Sequence, residues 1–439
     1  MKTSKRVFGL VLTIAMLISA IPVQTAFAAT SAQYAYSIGV NHASTDSVSG
    51  DFTANVHYAA TCYGMMNNFT SFYQYAPSVE YLRAETNGNG VRKLASDVVF
   101  LNGHASPTAM GFGEAVGSGI YYGYDAYSGS GSNLIQYAGL RSIGSMSTVD
   151  LISFVGCATA GGNTNLPSVA VELGATTAVG FTESIISRFD DGPRWLQRYN
   201  DYLANGYSVR QAVNYASACY PDCTLSQYVK IYGSTTNTIS SGLKRTAAPN
   251  LNITTVDIEV GKLENCIEVP VNECRFEGLE NVIANLEEMS PDFDRNDYKV
   301  SVNMYSDEQD DGIITFKYFV GDRIATNKAY VISVEDGVAV NIIPSDANSS
   351  ERGLANLTMS EEDLISAMEQ FDYQLATGNL PEAATIDNDI PDGSSLVETR
   401  TGYHYDFQTD ELTYTEENYY LTPGEMGVYV DDLAMWYVN

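Results

Sequence analysis

The sequence predicts an α/β fold with a mainly parallel sheet flanked by helices, followed by an α+β region with antiparallel hairpins. In the first half of the chain, short and continuously apolar segments alternate with helical patterns, which is typical of parallel strands buried on both faces. In the second half, apolar and polar residues alternate along longer segments that are separated by Asp-Gly turns. That second pattern is typical of hairpins with one solvated face.

The predicted elements of the first half follow this alternation in chain order. Strands are expected at 34–40, 71–76, 97–101, 151–155 and 177–181, with an edge strand at 228–232. Helices are expected at 51–69, 166–173, 195–204 and 209–219. A segment rich in Gly and Tyr, 111–131, carries no helical pattern.

The second half is expected to combine hairpins with a helix. The hairpins are predicted within 298–320, 329–343, 402–414 and 427–438. A helix is predicted at 360–375, because Ser360 can cap its N-terminus and three acidic residues follow in the first turn. Residues 249–439 loosely resemble PepSY-type domains of secreted bacterial proteins. The pattern is compatible with a single region and with two repeats.

The N-terminus has the three parts of a secretory signal peptide. A basic start is followed by an apolar run over 7–21 and by an A-x-A cleavage site at 26–28. An uncleaved anchor helix is the alternative, which the short run and Pro22 disfavour. Residues 1–28 are therefore predicted to be removed. Because no later stretch is apolar enough to span a bilayer, the mature chain is expected to be secreted and extracellular, without an integral membrane segment.

The acidity of the protein is confined to its second half. The whole chain has a formal net charge of −30. Residues 29–248 contain 14 acidic and 11 basic residues, a net of −3, whereas 249–439 contain 39 and 9, a net of −30, and the signal adds +3. This abrupt shift predicts a domain at 29–248 and another region at 249–439. The negative charge disfavours nucleic acid as a partner, because phosphates would be repelled.

An exported chain with six cysteines can form disulfide bonds. Two pairs are close enough in sequence to bridge locally, Cys219 with Cys223 and Cys266 with Cys274. Cys62 falls within a helical pattern and is expected to be a buried core thiol. Cys157 is different, because it follows a buried strand directly.

Two predicted strands end in residues that carry chemistry. The strand 97–101 runs into Asn102, Gly103 and His104, and the strand 151–155 runs into Gly156 and Cys157. Sites in parallel sheets lie beyond the carboxyl ends of the strands. If these two strands are parallel neighbours, His104 and Cys157 therefore emerge at the same edge of the sheet.

A cysteine and a histidine at one edge can perform nucleophilic catalysis. Cysteine attacks as the thiolate, which an adjacent imidazole favours, so Cys157 is the candidate nucleophile and His104 the candidate general base. The reaction also needs main-chain N–H groups that bind the oxyanion, and the backbone at Ala105 and Gly156 could provide them. Taken singly, a cysteine after a strand is more often a core residue, and a histidine in a Gly-rich loop is more often a surface residue. Their pairing favours catalysis.

These segments resemble a known clan of peptidases. Residues 97–106 and 150–162 are similar to the His loop and Cys loop of the caspase, gingipain and clostripain clan. Residues 166–181 and 195–213 resemble the elements after the catalytic Cys in the CHAT and gingipain-like branches, so the match covers about 95–232 and more loosely begins at residue 34. The resemblance implies a caspase-like fold and a secreted cysteine endopeptidase that uses Cys157 and His104.

The chain departs from this clan at two positions. The clan usually has Gly after the His and an acidic or Ser-Ala pair before the Cys, whereas this chain has Ala105 and Val155-Gly156. The change to Ala105 keeps the main-chain N–H that an oxyanion site needs.

Substrate selection in this clan uses loops after the first strand and after the strand that follows the Cys. The candidate substrate-binding residues in these loops are Asn41, Glu183, Asp190 and Asp191. The acidic ones could receive Arg or Lys of a protein or peptide substrate, whereas Arg188 would favour an acidic residue.

No cofactor is required for this chemistry, and no metal ligands are predicted. Residues 307–312 look like a calcium loop, but Gln309 stands at the third ligand position and Tyr318 at the twelfth, so a hairpin turn is expected. The sequence does not decide whether the acidic surface binds a structural calcium ion elsewhere.

Two other functions use the same fold. One is a catalytically inactive caspase-like module that binds a partner or a surface. The other is a transferase or ligase, in which an amine rather than water intercepts the acyl-enzyme.

Overall fold

The structure, a computed structural model, describes most of the chain after residue 31. The described residues are 32–39, 52–66, 69–75, 86–87, 90–111, 121–123, 138–187, 191–239, 251–306, 309–345, 359–386, 390, 392–406, 410–423 and 429–438. The predicted signal peptide 1–28 and the candidate residues Asn41 and Asp190 lie outside them.

Among the described residues, nine strands belong to the first half of the chain. In chain order they are β1 (Gln33–Gly39), β2 (Phe69–Tyr75), β3 (Val98–Asn102), β4 (Ala109–Gly111), β5 (Tyr121–Gly123), β6 (Ala138–Gly139), β7 (Leu151–Val155), β8 (Thr177–Phe181) and β9 (Val229–Gly233). Six of them form a sheet in the order β2-β1-β3-β7-β8-β9, in which every pair is parallel except β8 with β9. The short strands β4, β5 and β6 form a separate small sheet. A mostly parallel sheet is therefore confirmed.

Helices cover both faces of the six-stranded sheet. They are α1 (Phe52–Gly64), α2 (Leu166–Glu172), α3 (Gly192–Ala204), α4 (Val209–Cys219) and α5 (Thr224–Tyr228), with a 3₁₀ turn at Leu140–Ile143. Along β3, Val98 and Phe100 pack with α1, α3 and α4, whereas Val99 and Leu101 pack with α2 on the other face. This alternation follows from the two-residue period of a strand. It also explains why the central strands are apolar throughout.

The predicted helix at 51–69 is wrong in its last part. The helix ends at Gly64, and strand β2 begins at Phe69, where it pairs in parallel with β1 at Gln33. Pairing with the sheet outweighs the helical pattern here, because it buries Phe69 in the core. The helix predicted at 195–204 begins earlier, at Gly192, with Pro193 in its first turn, where proline is favoured.

Where the structure describes the second half, it contains ten strands and two helices. The strands are β10 (Thr254–Glu259), β11 (Cys266–Pro270), β12 (Tyr298–Ser306), β13 (Asp311–Val320), β14 (Ile324–Glu335), β15 (Val338–Pro344), β16 (Ala384–Ile386), β17 (Ser395–Asp406), β18 (Glu411–Leu421) and β19 (Tyr429–Val438). The helices are α6 (Leu279–Met289) and α7 (Glu361–Thr377), and a 3₁₀ turn lies at Arg295–Asp297. Ser360 caps α7 as expected, since its side chain accepts from the N–H of Asp363.

These ten strands form one sheet. Its order is β11-β12-β13-β14-β17-β18-β19-β16, and β15 pairs with both β14 and β10. All pairs are antiparallel except β14 with β17, which joins two groups of hairpins. The predicted hairpins are confirmed. Helix α6 was not predicted, although Leu279, Val282, Ile283 and Leu286 have the spacing of one buried helix face.

Buried ion pairs join the two halves. Arg210 of α4 contacts Asp311 at 2.9 Å and Glu335 at 2.5 Å, and the Asp311 side chain is fully buried. Lys317 of β13 contacts Asp222, which precedes α5, at 2.7 Å. Residues Gln33–Asn439 group as one compact unit. Among the helices of the described ranges, none has both the length and the apolar character needed to cross a membrane.

Candidate active site

The two predicted catalytic residues follow neighbouring parallel strands. Strand β3 pairs directly with β7, and Asn102 at the end of β3 is in register with Val155 at the end of β7. His104 and Cys157 each lie two residues beyond that pair. The central condition for a shared site, parallel strands whose carboxyl ends meet, is therefore met.

Gly156 holds the cysteine loop against the histidine loop. A Cβ atom added at Gly156 would lie 2.5 Å from the carbonyl oxygen of Gly103 and 2.6 Å from the Cβ atom of Ala105. The N–H of Gly103 also donates to the carbonyl of Val155 at 3.1 Å. Only a residue without a side chain fits between these two loops, so glycine before the cysteine is a packing requirement.

The thiol of Cys157 lies against a third loop, which follows β8. The N–H of Ile185 donates to the Cys157 Sγ atom at 3.4 Å, and the thiol donates to the Ile185 carbonyl at 3.4 Å. The next residue, Ala158, has a φ of +53° and donates its N–H to the carbonyl of Glu183 at 2.8 Å. A left-handed alanine is a strained conformation that surrounding contacts must hold, and such positions are common at functional sites.

His104 is enclosed by apolar groups at the same edge. Its ring meets the ring of Phe52, at the start of α1, edge-to-face with the centroids 5.1 Å apart. Its carbonyl accepts from the N–H of Gly111, which closes a short hairpin between His104 and β4. Only 3% of His104 and 4% of Cys157 is exposed. Both side chains are thus removed from bulk water, which strengthens any interaction between them.

A buried network of polar side chains fixes the ends of these strands. Asn55 of α1 donates to the Asn102 side chain at 2.9 Å and to the Ser187 carbonyl at 2.7 Å. Asn102 donates to the Val155 carbonyl at 2.9 Å and to the Ser187 hydroxyl at 3.2 Å. Asn102 thereby links β3, β7 and the loop after β8. Sequence reasoning missed Asn55 and Ser187, and the only signal was an asparagine in an otherwise apolar helix face.

The structure places the predicted substrate-binding residues Glu183 and Asp191 in different elements. Glu183 lies in the loop that holds Cys157, with an exposed side chain. Asp191 stands at the start of α3, where it pairs with Arg194 at 3.3 Å. Asp191 also lines a cavity of about 320 Å³ between the two sheets, together with Ile186 and Tyr228 of the first half and Lys317, Arg400 and His404 of the second. Asn41 and Asp190 are outside the described residues.

The cysteines do not form the predicted bonds. None of the six, which all lie within the described ranges, forms a disulfide bond, so the pairs Cys219 with Cys223 and Cys266 with Cys274 are not bridged. Cys219 ends helix α4, and Cys223 directly precedes helix α5. Cys266 and Cys274 do meet, and the hydrogen bond from the Cys274 thiol lowers the pKa of Cys266 to about 7. Cys62 is fully buried, as predicted.

Within the described part of the chain, no group of three or more His, Cys, Asp or Glu side chains is arranged to hold a metal ion. The described residues of 307–312 agree with the predicted hairpin turn, since β12 ends at Ser306 and β13 begins at Asp311.

Comparison of the chain with protein-family models and with curated proteins found no match in either.

Proposed function

We propose that this chain is a secreted cysteine endopeptidase with a caspase-like catalytic half. The observation that supports it most directly is the pairing of β3 with β7 in a register that brings the loops of His104 and Cys157 together. Packing of Gly156 on Gly103 and Ala105 supports the same site.

In the proposed reaction, His104 accepts the thiol proton and the Cys157 thiolate attacks the carbonyl carbon of a peptide bond. A C–S bond forms as the carbonyl oxygen becomes an oxyanion, which main-chain N–H groups near Ala105 and Gly156 would bind. The C–N bond then breaks, His104 returns the proton to the leaving amine, and a thioester remains on Cys157. Water activated by His104 hydrolyses the thioester and regenerates the thiol. No cofactor takes part in this sequence.

A preference for a basic residue before the cleaved bond is part of the proposal. Glu183 is near the nucleophile through its own loop, and Asp191 lies in the adjoining cavity. Either carboxylate could pair with an Arg or Lys side chain of the substrate.

A catalytically inactive binding module is the second candidate. The observation that favours it is the burial of both Cys157 and His104, which leaves little room for a peptide to reach the sulfur.

A peptide library incubated with the purified mature chain tests the first candidate. We expect cleavage products with the parent and with Cys219→Ala, a control at a half-buried cysteine away from the strand ends, and none with Cys157→Ala or His104→Ala. Cleavage that persists in Cys157→Ala would reject the mechanism. Adding an amine acceptor and analysing the products by mass spectrometry distinguishes hydrolysis from transfer.

A further inference from the structure

The candidate site is closed in this structure. A substrate carbonyl must reach the sulfur of Cys157, yet only 4% of this residue and 3% of His104 is exposed. The first half alone does not account for all the contacts on the two catalytic loops. Strands β17 and β19 of the second sheet each contact one of them.

Arg400 of β17 contacts the loop that holds the thiol. Its Nη1 atom donates to the carbonyl of Ser184 at 3.0 Å. Ser184 precedes Ile185, whose main chain makes both hydrogen bonds with the Cys157 sulfur. The carbonyl that Arg400 binds and the N–H that donates to the Cys157 sulfur therefore belong to the same peptide unit.

The surroundings of Arg400 form a site built for a guanidinium. Its plane lies over the ring of Tyr228 at 5.1 Å and over the ring of Tyr419 at 4.9 Å. Its Nε and Nη2 atoms donate to the two carboxylate oxygens of Glu398 at 2.8 and 3.0 Å. The side chain is only 21% exposed. Stacking between aromatic rings and bidentate pairing both favour a fixed arginine over a mobile one.

Tyr429 of β19 contacts the loop that carries the histidine. Within the hairpin from His104 to β4, the residues on either side of Ala105 make the internal hydrogen bonds, so the main-chain groups of Ala105 point outward. The N–H of Tyr429 donates to the Ala105 carbonyl at 2.8 Å, and the two residues form an antiparallel bridge. The second sheet therefore occupies the main-chain edge that sequence reasoning assigned to the oxyanion site.

The strand between these two contacts is part of the same core. Tyr419 of β18 is fully buried in the hydrophobic cluster that contains Cys157 and Ile185, and Tyr429 packs against that cluster. Three consecutive strands thus contribute one contact each to the catalytic edge. Because the contacts come from one hairpin group, they can be released together.

We infer that strands β17–β19 hold the cysteine site in a closed, latent state, and that a substrate reaches Cys157 only after Arg400 and Tyr429 release the two catalytic loops. The functional role of this closed state rests on the proposed peptidase function. Closure limits the access of reagents to the Cys157 thiol, so it can be measured without any peptide cleavage.

Alkylation of the native full chain by iodoacetamide measures access to the thiol. The rate at each cysteine is followed by mass spectrometry, with fully buried Cys62 as the reference for unfolding. Arg400→Ala removes the contact with Ser184 and both aromatic stacks, and we expect the Cys157 rate to rise about ten-fold while the Cys62 rate does not change. The control is Arg295→Ala, an arginine of the second half whose pair with the exposed Glu280 is outside the cavity that Arg400 lines.

A second pair of variants tests the other contact without removing a charge. Tyr429→Pro and Tyr429→Ala both lose the aromatic ring, but only the proline lacks the N–H that Ala105 accepts. Since that N–H points at Ala105 and not at β18, proline at this first position of β19 disrupts no ladder hydrogen bond within the sheet. We expect faster alkylation of Cys157 in Tyr429→Pro than in Tyr429→Ala.

The outcomes separate closure from function. The contacts of Arg400 and Tyr429 with the two loops are called the latch below. Unchanged alkylation of Cys157 in both Arg400→Ala and Tyr429→Pro, or a parallel rise at Cys62 in both, contradicts the latch. If the latch is correct and the chain is a peptidase, Arg400→Ala also cleaves peptides about ten-fold faster than the parent, and the double variant with Cys157→Ala does not cleave. An accessible Cys157 with no cleavage supports the latch and rejects the peptidase.

Discussion

At the scale of single residues, the most constrained position of the site is Gly156. The clan that the sequence resembles usually has a different residue before the cysteine, so the glycine first looks like a departure. In the structure its lack of a side chain lets the loops of His104 and Cys157 touch, because a Cβ atom would come within 2.6 Å of Ala105. The departure is thus explained by packing against an alanine where the clan has glycine.

Gly156→Ala is expected to separate these loops. The added methyl group meets the carbonyl of Gly103, which cannot rotate away, so we expect a loss of about 1–3 kcal/mol in the free energy of unfolding and the loss of peptide cleavage. Gly64→Ala is the matched control, since its Cβ atom would make only an ordinary contact at 3.5 Å with Ser71 at the end of a helix. Urea denaturation of both variants measures the difference. Equal stability of the two variants would show that the loops are not packed as described.

At the scale of elements, the site depends on how three chain segments end together. Strand β3, strand β7 and the loop after β8 are tied by the side chain of Asn102, which also meets Asn55 of α1. Hydrophobic pairing of the strands sets the register, but it does not determine where the chain goes after the last residue. The asparagine network does, because a buried polar group must satisfy its hydrogen bonds.

Asn102→Leu keeps the size of the side chain and removes this network. It leaves the Val155 carbonyl and the Asn55 amide buried with a lost partner, so we expect a destabilisation of at least about 2 kcal/mol in urea denaturation. As a positioning residue, Asn102 should also change the ratio of alkylation rates at Cys157 and Cys62, which a merely structural role would leave constant. Asn281→Leu, on an exposed face of α6, should change stability by less than about 0.5 kcal/mol. A variant as stable as the parent would refute the network.

At the scale of the whole molecule, the difference in charge between the halves does not keep them apart. The near-neutral half and the acidic half share buried ion pairs, and basic residues of each side meet carboxylates of the other. Among the described residues, nearly buried cations make such contacts in the pairs of Arg210 with Asp311 and Glu335 and of Lys317 with Asp222. Removing one partner of such a pair leaves an uncompensated charge, which makes these contacts costly to separate.

The contact of Lys317 with Glu268 predicts how stability depends on pH. Burial alone would raise the pKa of Glu268, but the nearby Lys317 ammonium and its hydrogen bond lower it. A lowered folded-state pKa gives stability that is present above the unfolded value of about 4.3 and is lost as the pH falls through the folded value. In Lys317→Met, Lys317 no longer offsets the burial of Glu268 and only the Lys299 ammonium still lowers its pKa, so the carboxylate loses most of its stabilisation at neutral pH.

We therefore expect the stability difference between the parent and Lys317→Met to be largest near pH 7 and to shrink towards about pH 3. Urea denaturation at several pH values measures it. Lys262→Met, at an exposed lysine, removes the same charge from the acidic half and should give a small difference that does not vary with pH. A difference for Lys317→Met that is flat or grows on acidification would contradict this account.

The amino-acid sequence by itself determined the order and type of most elements. Continuously apolar segments gave the strands of the parallel sheet, and alternating segments with Asp-Gly turns gave the hairpins, because burial on two faces and on one face leave different periodicities. The placement of His104 and Cys157 at strand ends was also readable, since a turn out of a buried strand is a local feature. The limits were local as well: the pattern at 51–69 did not show that Phe69 would pair with Gln33.

Only the tertiary structure decided what lies against the site. Asn55, Ser187, Arg400 and Tyr429 are distant from His104 and Cys157 in sequence. Several of their contacts are with main-chain groups, which carry no sequence signal. The charge boundary near residue 249 predicted two domains, whereas the fold brings strands of the second half onto the catalytic edge of the first. Charge composition reports the solvated surface, while the contacts that close the site are a few buried groups whose positions depend on how the two sheets pack.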